Sequence, residues 1–322
     1  MDIKNFITKY HTHPVLFFGT GMSMRYLQKS YSWKSLLQQI TVDLTGNDEL
    51  YLNIDSRFNS NCPKMASEIE KIFNQKLEED RDGKFKDIND LFFDNKRKGI
   101  DNSRFKIYIS QLLADNSLKA EMLEEIKALK TIRKNISSVI TTNYDNLVEQ
   151  IFQFDPLVGN NILMSNPYGA VYKIHGSIEN PSSIIITAED YKKFDTKYEL
   201  IRAQLLSLFM HNPIIFMGYS LTDENIKKLL HTIFSYVNSD SETAENIRNN
   251  FLIIERDEGN ENTDVIPFDI IVDDKNIRVN KIKTDNFSAI YQALSELRLP
   301  ISAMDIRKVQ DIVGDIYKGA HG

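Results

Sequence analysis

Short runs of apolar residues recur along the chain, and each is about as long as a buried β-strand. Most are rich in β-branched or aromatic residues and are followed by a turn or by a helix-start signal, as is typical of strands inside a sheet. The four clearest runs are Val15–Phe18, 136–141, Ile214–Met217 and 251–255, and two weaker ones are 171–175 and 269–273.

Segments with the apolar spacing of an α-helix lie between these runs. Ser32 and Thr222 are suitable N-cap residues for two of them, and further helices are predicted at 145–154 and, on the surface, at 287–297. The apolar positions are Trp33, Leu36, Leu37 and Ile40; Leu147, Val148 and Ile151; and Ile226, Leu229, Leu230 and Ile233. Alternating strands and helices predict an α/β fold, a Rossmann-like parallel sheet with helices on both faces.

Residues 48–135 interrupt this alternation. The segment is mostly helix-forming and is heavily charged between residues 78 and 98, which is typical of a solvated surface. We therefore expect a helical insert or small lobe within one domain that covers residues 1–322. The last residues, 317–322, carry no clear stop to the fold, which leaves open that the chain is part of a longer protein.

Composition narrows the classes of function. A net charge of −6 argues against a mainly electrostatic grip on nucleic acid. Cys62 is the single cysteine, so neither an internal disulfide nor a cysteine-based zinc site is available. The amino-terminal residues lack the apolar stretch of a signal peptide, and the longest apolar runs are too short to cross a membrane. We expect a cytoplasmic protein without a metal, bound neither to nucleic acid nor to a membrane.

The first candidate site follows the run Val15–Phe18, where Gly19 and Gly21 precede Ser23. Glycines after a strand permit a tight turn and the close approach of a pyrophosphate to backbone N–H groups. A glycine turn that binds no ligand fits equally well. Met24 stands where the dinucleotide fingerprint requires a third glycine, so the motif does not indicate a dehydrogenase.

Two further candidates follow the next runs. Asn143 and Asp145 lie just past the carboxyl end of the run 136–141, where ligands bind in open α/β sheets, although a turn residue and a helix cap explain them as well. His175, followed by Gly176, is the best placed of the six histidines to act as a general base, since the ordinary pKa of histidine lies near neutrality. A buried structural histidine is the alternative.

The fourth candidate repeats the first arrangement. Gly218 and Ser220 follow the run Ile214–Met217 and precede the helix expected after Thr222. They are suited to supply a second set of backbone donors to a nucleotide, or simply to form a strand–turn–helix joint.

Taken in order, the blocks GTGMS, TTNYD, KIHG and GYSLTD resemble the sirtuin family, in particular the sirtuin-like domains of bacterial anti-phage defence proteins. The resemblance extends in outline over about 15–297 and is residue-specific only in these four blocks. It implies an NAD-binding catalytic domain in which Trp33 is structural.

The resemblance also implies roles for individual residues. Asn143 and His175 would be catalytic, with Asn143 at the nicotinamide ribose and His175 as the base, while Asp145 would support the site. Other residues would contact NAD, which is here a substrate: Gly19, Thr20, Gly21 and Ser23 at the phosphates, and Gly218 and Ser220 at the far part of the dinucleotide.

Two departures from the family pattern matter. Deacetylase sirtuins carry a zinc ribbon held by four cysteines, whereas this chain has only Cys62. The segment after the phosphate loop, residues 25–33, reads RYLQKSYSW and does not match the Pro-Asp-Phe-Arg type of those enzymes. Both departures put a groove for an acyl-lysine peptide in doubt and leave the NAD-cleaving residues in place.

We therefore expect an NAD glycohydrolase that cleaves the nicotinamide–ribose bond and depletes NAD during phage infection, an abortive-infection effector. Such an enzyme must be held inactive in healthy cells, so we expect a homo-oligomer and control by assembly, by an additional domain or by an activator protein. Two alternatives remain open: an NAD-dependent protein deacylase or ADP-ribosyltransferase, and a non-catalytic module that senses NAD.

Overall fold

Eight strands form one sheet in the computed structural model, which describes residues 1–164, 168–197, 199–219, 245, 248–272 and 275–319. The strands are β1 (Val15–Phe18), β2 (Val139–Thr141), β3 (Asp155–Val158), β4 (Ala170–Lys173), β5 (Ile214–Met217), β6 (Phe251–Arg256), β7 (Ile266–Val272) and β8 (Lys275–Thr284). Their order is β3-β4-β2-β1-β5-β6-β8-β7, and every neighbouring pair is parallel except β7 with β8. The predicted Rossmann-like α/β sheet is confirmed, with one antiparallel strand at its edge.

Helices cover both faces of this sheet. They are α1 (Ile3–Ile7), α2 (Thr20–Tyr26), α3 (Trp33–Thr45), α4 (Glu49–Phe58), α5 (Cys62–Glu79), α6 (Lys86–Arg97), α7 (Arg104–Leu112), α8 (Leu123–Thr131), α9 (Leu147–Phe152), α10 (Ala188–Lys197), α11 (Glu199–His211), α12 (Phe287–Ser295) and α13 (Ala303–Gly319). The short 3₁₀ helices are Ala120–Met122, Ile132–Lys134, Gly159–Met164 and Pro181–Ser183.

Continuous apolar strands make this two-faced burial possible. In β1, Leu16 and Phe18 point into a core shared with α1, α2, α8, α9 and α12. Val15 and Phe17 point the other way, into a core shared with α11. Because successive side chains of a strand alternate between faces, only an uninterrupted apolar run can fill both cores.

A separate core holds together the helices α3 to α7, which we call the helical lobe (residues 33–112). Ser32 caps α3 by accepting a hydrogen bond from the Ser35 amide, as its position in the sequence predicted. Ile184 and Ile186, which come just before α10, also pack into this core and so tie the lobe to the segment after β4. In contrast, α8 packs against the sheet through Ile126 and Leu129.

The predicted strands differ from the observed ones mainly at their ends. β2 begins at Val139 rather than at residue 136, since its neighbour β1 is preceded by Pro14, which has no N–H to donate to a ladder. β4 ends at Lys173, so His175 lies in the turn beyond it. The helix predicted at 287–297 is α12, which buries Phe287 and Tyr291 beneath the sheet. The helix expected after Thr222 lies outside the described residues.

Three glycines join the turns that follow β1 and β5. A Cβ on Gly19 would lie 2.5 Å from the Gly218 carbonyl oxygen, and one on Gly21 would lie 2.7 Å from the Gly218 Cα. Gly218 has a φ of +75°, and a Cβ there would lie 2.5 Å from the Met22 amide nitrogen. We call these three residues the glycine contact. It closes the crevice between β1 and β5. The strand that follows β1 in the chain, β2, lies on one side of this crevice, and the strand that follows β5, β6, lies on the other side.

Gly218→Ala is expected to destabilise the fold far more than Gly46→Ala. Both glycines have positive φ, but a Cβ on Gly46, which ends α3 at φ +85°, meets nothing within 4 Å. The Gly46 variant should therefore lose only the conformational term of about 1–2 kcal/mol. At Gly218 the clash should add a further ~1–3 kcal/mol. Urea unfolding of both variants measures the difference, and equal losses would show that the glycine contact is not close-packed.

Candidate active site

A cleft opens at the carboxyl ends of the central strands, between the sheet and the helical lobe. Its cavity volume is about 130 Å³, which is below the ~300–1,000 Å³ usual for small-molecule sites. The residues that line it are Thr20, Ser23, Lys29, Ser30, Tyr31, Ser32, Trp33, Leu36, Leu113, Thr142, Asn143, Tyr144, Asp145, His175, Tyr191 and Tyr219. The cleft thus brings together five of the predicted residues, namely Thr20, Ser23, Asn143, Asp145 and His175.

Asn143 is held at the floor of the cleft with its amide in one orientation. Its backbone N–H donates to Thr141 Oγ1 over 3.0 Å. Its Nδ2 donates to the Gly19 carbonyl oxygen and to Ser23 Oγ, both over 2.9 Å. Because a carbonyl oxygen can only accept, the NH₂ group must face Gly19. Asn143 Oδ1 is then turned away from these partners and, among the described residues, is buried without a donor.

Ser23 connects Asn143 to Asp145. The Ser23 hydroxyl donates to Asp145 Oδ2 over 2.7 Å while it accepts from Asn143. The other carboxylate oxygen, Oδ1, accepts from the Leu147 amide over 3.0 Å and so caps the start of α9. The Asp145 side chain therefore caps the helix, as one interpretation predicted, and also accepts a hydrogen bond from Ser23 in the cleft.

A buried lysine fixes the loop that carries these residues. Lys173, in β4, is fully buried, and its ammonium donates to the Asp145 carbonyl oxygen over 2.5 Å and to Glu149 Oε1 over 2.7 Å. The loop after β2 is thus attached to the neighbouring strand by a charge-assisted bond. We infer that it moves little relative to the sheet.

The glycine contact lies beneath the cleft, and two of its amide groups donate hydrogen bonds to backbone carbonyl oxygens. The Gly19 N–H donates to the Met217 carbonyl oxygen over 2.9 Å, and the Gly21 N–H donates to that of Gly218 over 3.0 Å. Close packing of backbones, rather than a free set of amide donors, is therefore what the glycines provide here. Thr20, the first residue of α2, is exposed at the cleft. Ser220 lies outside the described residues.

His175 is buried in the turn after β4 and remains neutral. Desolvation lowers its pKa from the ordinary value of 6.5 to about 4, well below the near-neutral value expected from the sequence. Its Nδ1 lies 3.4 Å from the Tyr191 hydroxyl. A tautomer with the proton on Nδ1 would leave the lone pair of Nε2 free to accept a proton.

Aromatic side chains border His175 and the cleft. Tyr191 lies edge-on to the imidazole at 5.4 Å between ring centroids, and Trp33 stacks on Tyr191 at 5.6 Å. Tyr219 also lines the cleft, and its hydroxyl lies 2.8 Å from Thr142 Oγ1 and 3.2 Å from the Phe18 carbonyl oxygen. Trp33, expected to be structural, therefore also lines the cleft.

Several cleft residues are missed by sequence reasoning. Thr142, Tyr144 and Tyr219 adjoin Asn143 and Gly218 in the chain, so their nearness to a motif is a usable signal. Tyr191 stands on α10, well beyond the KIHG block, and nothing in its local sequence distinguishes it. Only the packing of α10 against the turn after β4 brings it to His175.

Two further observations concern metals and membranes. Within the described ranges, no group of three or more histidine, cysteine, aspartate or glutamate side chains is arranged to hold a metal ion. No helix in the same part of the chain combines the length and the apolar character needed to cross a bilayer.

His175→Gln is expected to flatten the pH dependence of stability. Between pH 6.5 and 4 the unfolded chain protonates this histidine and the native chain does not, so the free energy of unfolding should decrease by about 3 kcal/mol as the pH falls through that window. Urea unfolding at several pH values measures the slope. His11→Gln, at an exposed histidine, is the matched control. A slope that persists unchanged in His175→Gln would contradict the burial of a neutral ring.

Comparison with known proteins agrees with this architecture. Residues 137–279 match the model of the SIR2-like domain. Among curated proteins, the NAD(+) hydrolase ThsA of Enterococcus faecium is 33% identical over 135 residues, which are 39% of this chain and 28% of that protein. ThsA of Cytobacillus dafuensis is 25% identical over 244 residues, 72% of this chain and 40% of that protein.

A third relative is defense-associated sirtuin 2 of Bacillus subtilis, 28% identical over 113 residues, which are 32% of this chain and 11% of that protein. The chain thus matches less than half the length of each of these relatives. The matched range 137–279 contains Asn143, His175 and Gly218, and so covers three of the four sequence blocks. The resemblance read from those blocks is confirmed over residues 137–279, which are similar to the SIR2-like domain.

Proposed function

We propose that this chain is an NAD glycohydrolase, which cleaves the bond between nicotinamide and ribose and so depletes NAD in bacterial defence. The observation that carries the proposal is the pair formed by Asn143 Oδ1, buried without a donor, and the neutral His175 in the same cleft. The names of the relatives, NAD(+) hydrolase and defense-associated sirtuin, support the activity and the setting.

Bond cleavage produces nicotinamide as a neutral leaving group and places positive charge on the ribose. Asn143 Oδ1, an acceptor held in a fixed direction, would receive a hydrogen bond from a ribose hydroxyl or from the attacking water. His175 Nε2 would take the proton from a ribose hydroxyl or from that water. Overall, NAD and water give ADP-ribose, nicotinamide and a proton. Fixed positions for both groups reduce the entropy lost in reaching the transition state.

The remaining predicted residues are proposed to orient Asn143 or to contact NAD. Ser23 and Asp145 keep the Asn143 amide oriented through their hydrogen bonds. Gly19, Gly21 and Gly218 allow the backbone of the crevice to approach the dinucleotide closely, with Thr20 at its edge. Ser220 is likewise proposed to contact the far part of NAD.

Two other classes of function are less well supported. A deacylase or ADP-ribosyltransferase requires room for an acceptor beside His175, where Tyr191 and Trp33 stand. A module that only senses NAD has no need of an unprotonated histidine beside an oriented amide. The NAD glycohydrolase accounts for both groups.

Control of the enzyme forms part of the proposal. A protein that consumes the cytoplasmic NAD pool must be silent until it is needed, so we propose a homo-oligomer regulated by assembly, by a further domain or by a partner protein. An exposed apolar row on α13 supports this proposal, because another chain or domain could cover it. Its residues Val309, Ile312 and Ile316 are 60%, 59% and 64% exposed.

Asn143→Ala and His175→Ala are each expected to lower nicotinamide release from NAD by about 10²–10⁴-fold, the usual contribution of a general base. Chromatography of reactions that contain the purified chain and NAD alone measures the rate at several protein concentrations. Asn53→Ala and His211→Ala, at exposed helical positions, are the matched controls and should retain the parental rate.

The same assay separates the three classes of function. Release that requires an acylated peptide would identify a deacylase. Binding of NAD in a calorimeter with no release at any protein concentration would favour the sensing module. Near-parental rates in folded Asn143→Ala and His175→Ala proteins would contradict the assigned mechanism.

A further inference from the structure

Three aromatic side chains close one side of His175. Tyr191 and Phe194 lie edge-on to the imidazole at 5.4 and 5.7 Å between ring centroids, with interplanar angles of 83° and 89°. Trp33 stacks on Tyr191 with an interplanar angle of 26°. We call Trp33, Tyr191 and Phe194 the aromatic wall. It joins α3 of the helical lobe to α10 and ends at the proposed base.

The helical lobe fixes the wall in position. Asp190, the neighbour of Tyr191 on α10, accepts a hydrogen bond from the Lys106 ammonium over 2.7 Å and a second one from the Thr187 amide over 3.0 Å. Because both ends of the Lys106–Asp190 pair are largely buried, with side-chain exposures of 12% and 15%, solvent screens the pair only weakly. The start of α10, which carries Tyr191, is therefore attached to the helical lobe by this pair.

The wall borders the part of the cleft that contains the proposed base. Trp33 and Tyr191 line the same cleft as Asn143 and His175. The Tyr191 ring lies 5.4 Å from the imidazole between centroids, so an attacking group bound at His175 would lie close to this ring.

We propose that Tyr191, backed by Trp33, determines acceptor specificity and restricts the reaction to water. This inference rests on the proposed NAD glycohydrolase. In the step concerned, the C1′–N bond breaks and its electron pair leaves with nicotinamide. A bond forms between C1′ and the acceptor oxygen, whose proton passes to His175 Nε2. Methanol can replace water in this step with the same balance and gives the methyl glycoside of ADP-ribose.

The test is the partition between water and methanol in Tyr191→Ala and Tyr191→Phe. Tyr191→Ala should raise the ratio of methyl glycoside to ADP-ribose by roughly ten-fold or more, the lower range for pocket discrimination by size. Tyr191→Phe keeps the ring and removes the hydroxyl near His175 Nδ1, so its ratio should stay parental even where its total rate falls. Thermal unfolding checks that both variants are folded.

A binding measurement separates this inference from the proposed function because it requires no turnover. Calorimetry compares ADP-ribose with its methyl glycoside on the parental chain and on both variants. The wall predicts that the methyl group weakens binding to the parental chain and to Tyr191→Phe, and that the penalty disappears in Tyr191→Ala. Equal penalties in all three proteins, or an unchanged product ratio in Tyr191→Ala, would overturn the inference whether or not the chain hydrolyses NAD.

Discussion

The orientation of a single amide organises this site. Asn143 donates both its Nδ2 protons inward, to the Gly19 carbonyl oxygen and to Ser23 Oγ, and Asp145 fixes the direction of the Ser23 hydroxyl. If the amide were reversed, two acceptors would face each other at Gly19, and a buried acceptor pair without a proton is costly. The bonding therefore leaves Oδ1 as the polar atom of the amide that has no partner among the described residues. Ser23 follows β1, whereas Asn143 and Asp145 follow β2, so the orientation depends on correct pairing of these two strands.

The glycine contact makes that arrangement possible. Asn143 reaches the Gly19 carbonyl only because the turn after β1 is pressed against the turn after β5, with no side chain between them. Any residue other than glycine at Gly218 would push α2 outward by its clash with Met22, and Ser23 lies on the same helix. The close packing of the glycine contact and the hydrogen bonds among Asn143, Ser23 and Asp145 therefore depend on each other.

Sequence patterns predict the buried central strands well and strands such as β3 and β8, nearer the ends of the sheet, poorly, for a physical reason. β1 and β5 are covered on both faces, so an unbroken apolar run is both necessary and visible. β3 contains Pro156 and is mostly exposed or half-buried, and β8 alternates lysine, asparagine and arginine with apolar residues. Such strands gain their stability from pairing with a neighbour, as β8 does with β6 and β7, and that information is not local.

The same limit applies to the chemistry of the site. The four blocks of sequence identify the site residues that follow the strands, because the carboxyl ends of parallel strands lie at one edge of the sheet. Asn143 and His175 come together because they follow neighbouring strands, β2 and β4. The acidity of His175 and the environment around it depend on α10 and α3, whose sequences carry the signals of ordinary amphipathic helices. The helical lobe is therefore more than an addition to the sheet. Its core includes Ile184 and Ile186, just before the helix that bears Tyr191, so the packing of the lobe contributes to the surroundings of the proposed base.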